Sequence, residues 1–342
     1  MKACYVVSPE KVEIKNIEKP VIDEKEVLIR VHYAGVCGSD LHLFHGTHPF
    51  RKPPEILGHE VVGEIVEIGS KVTDLRIGDR VTVEPHLGCG QCELCQSGNE
   101  NLCRTKIAPG SAKWMGTFVN YFKAPASKTH RLADKVPDEI GVLIEPFAVA
   151  VHAINLISIP QRESIVILGS GTIGLFTVVA AKAAGFKTII ATDTQQFNRD
   201  MAMQFGANIT LDPLNCDVAE EVKKVTDGKG ADVAIVAAGA SNIIDQASSS
   251  VRKRGEVVLV AMITEKIPVY SYSFVFNEQK LIGAMTYRPQ DFKEAVDLVN
   301  NGLNLDGFVT QIFPIHQTQE ALDTLAQKKE NVVKVLVDFH KE

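Results

Sequence analysis

The chain has 342 residues, of which 45% are hydrophobic and 23% charged, and its net charge is −6. These values are typical of a folded globular protein and exclude a largely disordered chain, a coiled coil and a collagen-like fibre. The acidic balance argues against a nucleic-acid partner. The apolar runs are shorter than the about 18 residues that cross a bilayer, and the segment after Val7 turns polar too early for a signal peptide. The length indicates two domains.

The first half of the chain contains short, strand-like runs separated by Gly, Pro and Asp, which indicates a β-rich domain over residues 1–153. The expected strands are Ala3–Val7, Glu26–His32, Val61–Ile68, Arg80–Val83 and Thr117–Lys123.

Strands and helices alternate over residues 154–286, beginning with the continuous apolar run Ile165–Leu168 and a helix over Thr172–Ala184. This alternation predicts a doubly wound parallel sheet, so the fold class is α/β. Residues 287–342 are too few for an independent domain. We therefore expect them to return and complete the first one.

A glycine-rich motif, GSGTIG at residues 169–174, follows the first of these strands and opens a helix. In that context the motif predicts a dinucleotide-binding loop, with the pyrophosphate at the helix N-terminus. The alternative is an ordinary glycine turn. The residues assigned to the cofactor here are Gly169, Gly171, Thr172, Ile173 and Gly174.

Asp193 ends the next strand, close to the position of the acid that binds the ribose hydroxyls in such folds. A carboxylate there repels a 2′-phosphate, so the sequence favours NAD over NADP.

The seven cysteines are an odd number, and four of them lie between positions 89 and 103, which is a poor disulfide framework. We expect a reducing, cytoplasmic compartment. Four thiolates on one short loop suit a tetrahedral, closed, structural Zn²⁺ site. An iron–sulfur cluster or a pair of disulfides are the alternatives. The four ligands are Cys89, Cys92, Cys95 and Cys103.

A second set of metal-binding residue types is formed by Cys37, His59 and Glu60. A Cys, a His and a carboxylate leave one coordination position open, as in a catalytic zinc site. Because these residues are separated in sequence, the pattern alone also fits ordinary structural side chains.

Four features occur together in this chain: the open Cys/His set, Gly58-His59-Glu60, the four-cysteine loop and GSGTIG. Their combination and their order along the chain resemble the zinc-dependent alcohol dehydrogenase branch of the medium-chain dehydrogenase/reductase superfamily. The resemblance implies a GroES-like catalytic domain plus a Rossmann coenzyme domain, NAD and two Zn²⁺ per subunit. Leu143–Ala153, with Glu145, resembles the sorbitol/polyol and threonine dehydrogenases more than the ethanol enzymes.

The resemblance also implies individual roles in the catalytic domain. Cys37 and His59 are metal ligands, while Glu60 and Glu145 share the remaining ligand position. Asp40 orients His59. The metal acidifies the substrate hydroxyl, hydride passes to the nicotinamide, and the proton leaves through a relay that includes Ser39 and His42.

Further cofactor contacts and the assembly state are implied in the same way. Arg199, or its neighbour Asn198, is expected at the adenosine ribose. A homodimer or homotetramer is expected, with the strand-like segment 267–276 pairing across an interface. The remaining expected cofactor contacts are Ala238, Ala261, Met262 and Met285.

The predicted function is therefore oxidation of a secondary alcohol on a polyol, sugar alcohol, cyclitol or amino alcohol to a ketone. A dehydrogenase of simple alcohols or L-threonine is the alternative enzyme, and a non-catalytic nucleotide-binding relative is the alternative outside enzymes. Leu43 and Thr286 stand where sorbitol enzymes carry an aromatic residue and an arginine, which argues against sorbitol itself.

Overall fold

A computed structural model describes residues 1–48, 51–111, 113–327 and 331–340. The chain forms two compact units, one of Met1–Glu145 with Arg288–Glu342 and one of Pro146–Tyr287. The first unit thus ends at Glu145, within the helix Ile144–Asn155, whereas the boundary predicted from the sequence follows residue 153. Within the described residues, no helix is long and apolar enough to cross a membrane.

The amino-terminal part of the first unit is mainly β-structure. Its strands are β1 (Lys2–Ser8), β2 (Lys11–Asn16), β3 (Glu26–Val36), β4 (Glu55–Ile56), β5 (Glu60–Ile68), β6 (Arg80–Val83), β7 (Tyr121–Pro125) and β8 (Thr129–Arg131). Its helices are α1 (Gly38–Phe44), α2 (Glu93–Gln96) and α3 (Asp138–Gly141). The next helix, α4 (Ile144–Asn155), begins in the first unit and has most of its residues in the second.

The second unit alternates strands with helices. The strands are β9 (Ser164–Leu168), β10 (Thr188–Thr192), β11 (Ile209–Leu211), β12 (Ala231–Val236), β13 (Val251–Leu259) and β14 (Lys280–Gly283). The helices are α5 (Thr172–Ala183), α6 (Gln196–Phe205), α7 (Val218–Lys224), α8 (Ile243–Ser250) and α9 (Ser271–Asn277). The carboxyl-terminal segment adds α10 (Pro289–Asn300), β15 (Val309–Pro314), α11 (Thr318–Gln327) and β16 (Lys334–Asp338).

The carboxyl-terminal segment completes the main sheet of the first unit. That sheet has the strand order β15-β16-β3-β5-β6-β8, with β7 also paired to β3. β16 runs antiparallel to β3 and pairs Val335 with Val36. The final strand therefore starts beside the end of β3, where Cys37 follows.

The sheet of the second unit is parallel and has the order β11-β10-β9-β12-β13-β14. This is the strand order 3-2-1-4-5-6 of doubly wound dinucleotide-binding folds. Every residue of the central strand β9 is buried, as expected for a parallel strand covered on both faces. The arrangement confirms the predicted doubly wound sheet.

Two segment predictions are wrong. Residues 117–123 do not form one strand, because β7 begins only at Tyr121. The segment 267–276 contains helix α9 instead of a strand. Its aromatic residues satisfy a helical period as well as an alternating one, since Tyr272 stacks on Phe276 with ring centroids 5.9 Å apart.

Candidate functional site

Cys37 is placed by the junction between β3 and α1. The Cys37 backbone is extended, and its N–H donates to Asp40 Oδ2 at 3.0 Å. The Asp40 N–H in turn donates to the Cys37 carbonyl at 3.0 Å and closes the first turn of α1, so Asp40 and Cys37 form a capping box. The cap therefore fixes the position of the thiol.

The same aspartate orients His59. Asp40 is completely buried, accepts a hydrogen bond from Gly58 N at 3.2 Å and lies 3.7 Å from His59 Nδ1 through Oδ1. Burial opposes ionisation of His59, but the charges of Asp40 and Cys37 outweigh it and raise the pKa of His59 well above its usual value. A bound cation would displace that proton. The predicted contact between Asp40 and His59 is present.

Glu60 opens β5 and pairs with Gly35 of β3. A Cβ atom at position 35 would lie 1.8 Å from Glu60 Oε2, so only glycine leaves room for this carboxylate. Glu60 is fully buried, and the Nζ atom of Lys334, also buried, lies 2.5 Å from its Oε1. Lys334 Nζ also donates to the carbonyl of Val36 at 3.0 Å.

Lys334 remains charged at this buried position. Burial would lower its pKa, but the carboxylate of Glu60 and the thiolate of Cys37 raise that pKa above the usual value, with a smaller contribution from Glu145. Lys334 was not predicted from the sequence. The signal that could have identified it is a lysine within the otherwise apolar run Val332–Val337.

Cys37, His59 and Glu60 each offer one ligand atom, and these atoms all lie within 4.8 Å of one another. Thiolate, imidazole and carboxylate are the donor types of open zinc sites, so the residues fit that metal. Glu145, the second residue of α4, is buried and lies outside this group of three. His152, on the same helix, is buried as well.

The two predicted relay residues lie on α1. Ser39 is half-buried, and His42 Nδ1 lies 3.4 Å from the hydroxyl of Thr47. That hydroxyl donates to the His42 carbonyl at 3.2 Å and reaches the protein surface. The His42 imidazole and the Thr47 hydroxyl thus lie next to each other near the surface.

The four clustered cysteines converge on one point. Cys89 Sγ lies 4.0 Å from Cys95 Sγ, and Cys92 Sγ lies 3.9 Å from Cys103 Sγ. Four sulfurs bound at about 2.3 Å to a tetrahedral zinc are about 3.8 Å apart. A hydrogen bond from Cys89 N lowers the pKa of the Cys103 thiol to about 6. The cluster fits a structural zinc ion.

A buried charge network attaches this loop to the main sheet. Lys128 Nζ donates to Glu84 Oε1 and to Glu100 Oε2, both at 2.8 Å. The other oxygen of Glu100 accepts from Gly88 N at 2.5 Å. The residues that flank the cysteines are thereby held to the strand region around Lys128.

The glycine-rich loop of the second unit has the form expected for a cofactor cradle. Gly169 has φ of +99°, which favours glycine, and a Cβ atom on Gly174 would lie 1.9 Å from the Gly169 carbonyl oxygen. A Cβ on Gly171, in contrast, would meet nothing within 4 Å. The protein itself therefore does not require glycine at 171, whereas a phosphate against the start of α5 would.

The carboxylate of Asp193 is hydrogen-bonded to this loop. Its Oδ2 accepts from Ser170 N and its Oδ1 from Gln195 N, both at 2.9 Å. Arg199 donates to the Asp193 carbonyl at 2.7 Å and lies 3.2 Å from Asp212 Oδ2. The carboxylate is thus held at the end of β10, and Arg199 is tied to the neighbouring backbone.

The other expected cofactor residues follow the carboxyl ends of parallel strands. Ala238 comes after β12 and lies against the glycine loop, since a Cβ on Gly169 would be 2.4 Å from the Ala238 Cβ. Ala261 and Met262 come after β13, and Met285 comes after β14. These ends share one edge of the sheet, where ligands bind in open α/β folds.

Comparison with protein families gives two matches. The model of the alcohol dehydrogenase GroES-like domain matches residues 23–134, and the model of the zinc-binding dehydrogenases matches residues 172–301. These matches confirm the predicted combination of a GroES-like domain with a Rossmann domain.

Individual proteins are similar over nearly the whole chain. Sorbitol dehydrogenase of Bacillus subtilis is 34% identical over 98% of this chain and 97% of its own. D-arabitol-phosphate dehydrogenase of Enterococcus avium is 32% identical over 96% and 94%. The crystal structure of 2R,3R-butanediol dehydrogenase from Bacillus subtilis superimposes with a TM-score of 0.90 at 30% identity, covering 98% of this chain and 99% of that one.

Proposed function

Because the chain belongs to the zinc-dependent alcohol dehydrogenase family of the medium-chain dehydrogenase/reductase superfamily, we propose that it oxidises a secondary alcohol of a polyol or sugar alcohol to a ketone with NAD as hydride acceptor. The observation that carries this proposal is the convergence of Cys37, His59 and Glu60 within 4.8 Å. In such a site zinc supplies Lewis acidity that lowers the pKa of a hydroxyl group.

The chain's own residues hold and balance that site. Cys37, Glu60 and Glu145 together carry three negative charges when ionised, and Lys334 supplies one positive charge among them. A divalent cation brings this group of charges to neutrality. Asp40 keeps the His59 ring in place, which outer hydrogen-bond partners generally do for metal-binding histidines.

The proton released from the substrate needs a path to water. We assign Ser39 to the first step of this path and His42, beside the Thr47 hydroxyl, to the exit.

The substrate class is supported by the relatives and by one residue. The similar proteins include dehydrogenases named for sorbitol and D-arabitol phosphate. Glu145 stands where the resemblance to ethanol enzymes would place a cysteine, and an additional carboxylate suits a substrate with several hydroxyl groups. Both points favour a polyol over a simple alcohol.

The test is a substrate panel with the purified zinc-loaded enzyme. Polyols, polyol phosphates, cyclitols, L-threonine and 2,3-butanediol are each supplied with NAD, and formation of reduced nicotinamide is followed. We expect turnover to be highest with a polyol or its phosphate. Turnover confined to L-threonine or butanediol would reject the substrate class, and no turnover with any alcohol would reject the enzyme assignment.

Cys37→Ala tests the metal-dependent step. We expect loss of turnover with NAD affinity retained, since the glycine loop is untouched. The matched control is Cys216→Ala, which changes a cysteine outside both proposed zinc sites. Retained turnover in Cys37→Ala would reject the role of this thiol.

We also propose that the enzyme is a homodimer or homotetramer assembled through the β14 edge of the second unit. The supporting observation is an exposed apolar surface on α9 and β14, where Val275 is 74% and Phe276 64% exposed. Such patches mark interaction surfaces, and an edge strand offers free backbone groups for pairing. The other exposed members are Tyr270, Tyr272 and Leu281.

Light scattering after gel filtration tests this assembly. Phe276→Lys is expected to shift the mass toward the monomer, whereas Leu214→Lys, at an exposed leucine elsewhere in the unit, leaves the mass unchanged. A wild-type protein that is monomeric would reject the proposal.

A reducing, cytoplasmic setting completes the proposal. All seven cysteines lie in described parts of the chain and are free thiols, and thiolate ligands for two metal sites require that state.

A further inference from the structure

A third cluster of metal-binding side chains lies in the first unit, apart from both proposed zinc sites. It consists of His32 on β3, Asp138 at the start of α3 and His340 just after β16. One ligand atom from each residue lies within 4.8 Å of the others. We propose that these three residues bind a divalent transition-metal ion that bridges the carboxyl-terminal strand to β3 and α3.

The backbone brings these residues together. β16 pairs with β3 so that Asp338 lies opposite Tyr33, and Phe339 N donates to the His32 carbonyl at 2.9 Å. The rings of His32 and His340 consequently stack, with centroids 4.5 Å apart and planes at 30°. Their nitrogen atoms converge on one carboxylate oxygen.

The distances approach those of a metal site. Asp138 Oδ2 lies 2.7 Å from His32 Nδ1 and 3.6 Å from His340 Nε2. Ligand atoms at about 2.0–2.1 Å from a tetrahedral metal are about 3.3 Å apart. A small opening of the His32–Asp138 contact would therefore accommodate an ion between the three groups.

Two of the three ligands also have the outer partners that metal ligands typically have. His340 Nδ1 lies 2.9 Å from Asp338 Oδ1, which leaves Nε2 directed at Asp138. Arg80 Nη1 donates to the other oxygen of Asp138 at 2.9 Å, which leaves Oδ2 for the ion. Such partners orient the ligands they contact.

The donor set selects the class of metal. Two imidazoles and a carboxylate suit Zn²⁺, Ni²⁺, Co²⁺ or Cu²⁺, whereas Mg²⁺ and Ca²⁺ prefer oxygen ligands alone. His32 is buried and His340 is partly exposed, so the ion would enter from the solvent side of His340. Binding would join three segments that are distant in sequence and would stabilise the first unit.

Metal analysis of the zinc-loaded enzyme after dialysis against Ni²⁺ tests the site. We expect Ni²⁺ to add one equivalent per chain without displacing zinc, and to raise the melting temperature. His340→Gln should weaken this binding at least about tenfold, and Asp338→Asn, which leaves all three ligands in place, by about 10–100-fold. The control is His316→Gln, at an exposed histidine of the same unit.

Cu²⁺ bound in the same position should show hyperfine coupling to two nitrogen atoms in its electron paramagnetic resonance spectrum, reduced to one in His340→Gln. The proposal is overturned if no equivalent binds beyond zinc, if His340→Gln binds Ni²⁺ as the wild type does, or if His316→Gln loses the added equivalent too. Because His340 lies outside β16 and is partly exposed, the variant is expected to fold.

Discussion

Lys334 and Glu60 form a buried ion pair between the last strand of the chain and β5, which begins with the proposed metal ligand Glu60. Their side chains are 3% and 0% exposed. Removing one partner of such a pair leaves an uncompensated charge in a low-dielectric interior. The carboxyl-terminal segment therefore contributes directly to the electrostatics of the proposed catalytic metal site.

Lys334→Met is expected to lower the free energy of unfolding by about 3–5 kcal/mol in protein whose metal has been removed with a chelator, because Glu60 then keeps its buried charge without a cation. Urea unfolding of this metal-free protein measures the effect, and the zinc content is determined in parallel. Lys334→Met combined with Glu60→Gln should recover much of the loss, since the unpaired carboxylate at position 60 is then removed.

The control for Lys334 is Lys293→Met, which removes an exposed ion pair with Asp297 on α10. Exposed helical pairs contribute about 0.3–0.5 kcal/mol, so this variant should unfold close to the wild type. Equal losses from the two substitutions would show that the pair of Lys334 with Glu60 has no special energetic role.

Asp40→Asn is expected to weaken zinc binding at Cys37 and His59 by about 10–100-fold. The reason is geometric as well as electrostatic, because an amide NH₂ would face either the Cys37 or the Gly58 N–H, both of which now donate to the carboxylate. Competition with a chelator, followed by metal analysis, should remove one zinc per chain and leave the zinc of the four-cysteine loop.

Asp74→Asn, at an exposed aspartate of the same unit, is the matched substitution and should retain both zinc ions. If Asp40→Asn holds its zinc as tightly as this control, the aspartate does not support His59.

Motifs that are short in sequence could be predicted as sites, whereas contacts between distant segments could not. The four cysteines lie within one loop, and the glycines of residues 169–174 lie within one turn. The local backbone geometry therefore determines where the atoms of each group meet. Lys334 is 274 residues from Glu60 and reaches it only because β16 pairs with β3. No local sequence pattern indicates that β16 pairs with β3 in this register.

Helix α9 shows that a local sequence pattern can also predict the wrong secondary structure. Alternating aromatic residues over 270–276 fit a strand, but residues four apart also meet on a helix, as Tyr272 and Phe276 do. Because this surface is exposed, burial does not distinguish between the two periods.

Asp193→Ala is expected to lower the preference for NAD over NADP, measured as the ratio of the kcat/KM values, by about tenfold, which corresponds to about 1.4 kcal/mol. The carboxylate repels a 2′-phosphate, and its loss also frees Ser170 N and Gln195 N to bind that group. Asp200→Ala, at an exposed position of α6, is the control. An unchanged ratio in Asp193→Ala would remove this residue from cofactor selection.

His86 makes the stability of the fold depend on pH in the mildly acidic range. Burial, together with the charge of Lys106, holds the pKa of His86 well below its ordinary value of 6.5. Above about pH 6.5 the imidazole is neutral in the folded and unfolded chains and adds no pH dependence. Below it, the unfolded chain binds a proton that the folded chain does not, so stability falls by up to about 1.4 kcal/mol per pH unit until the folded pKa is reached.

His86→Gln should therefore flatten the fall in unfolding free energy between about pH 7.5 and 5.5, because glutamine does not titrate. Urea unfolding at several pH values, with zinc supplied, measures the slope. His45→Gln, at an exposed histidine, is the control for replacing a histidine by glutamine, and the protonation of the zinc ligands affects all three proteins alike. The difference in slope between the two variants thus isolates His86, and equal slopes would mean that its burial does not oppose protonation in the folded enzyme.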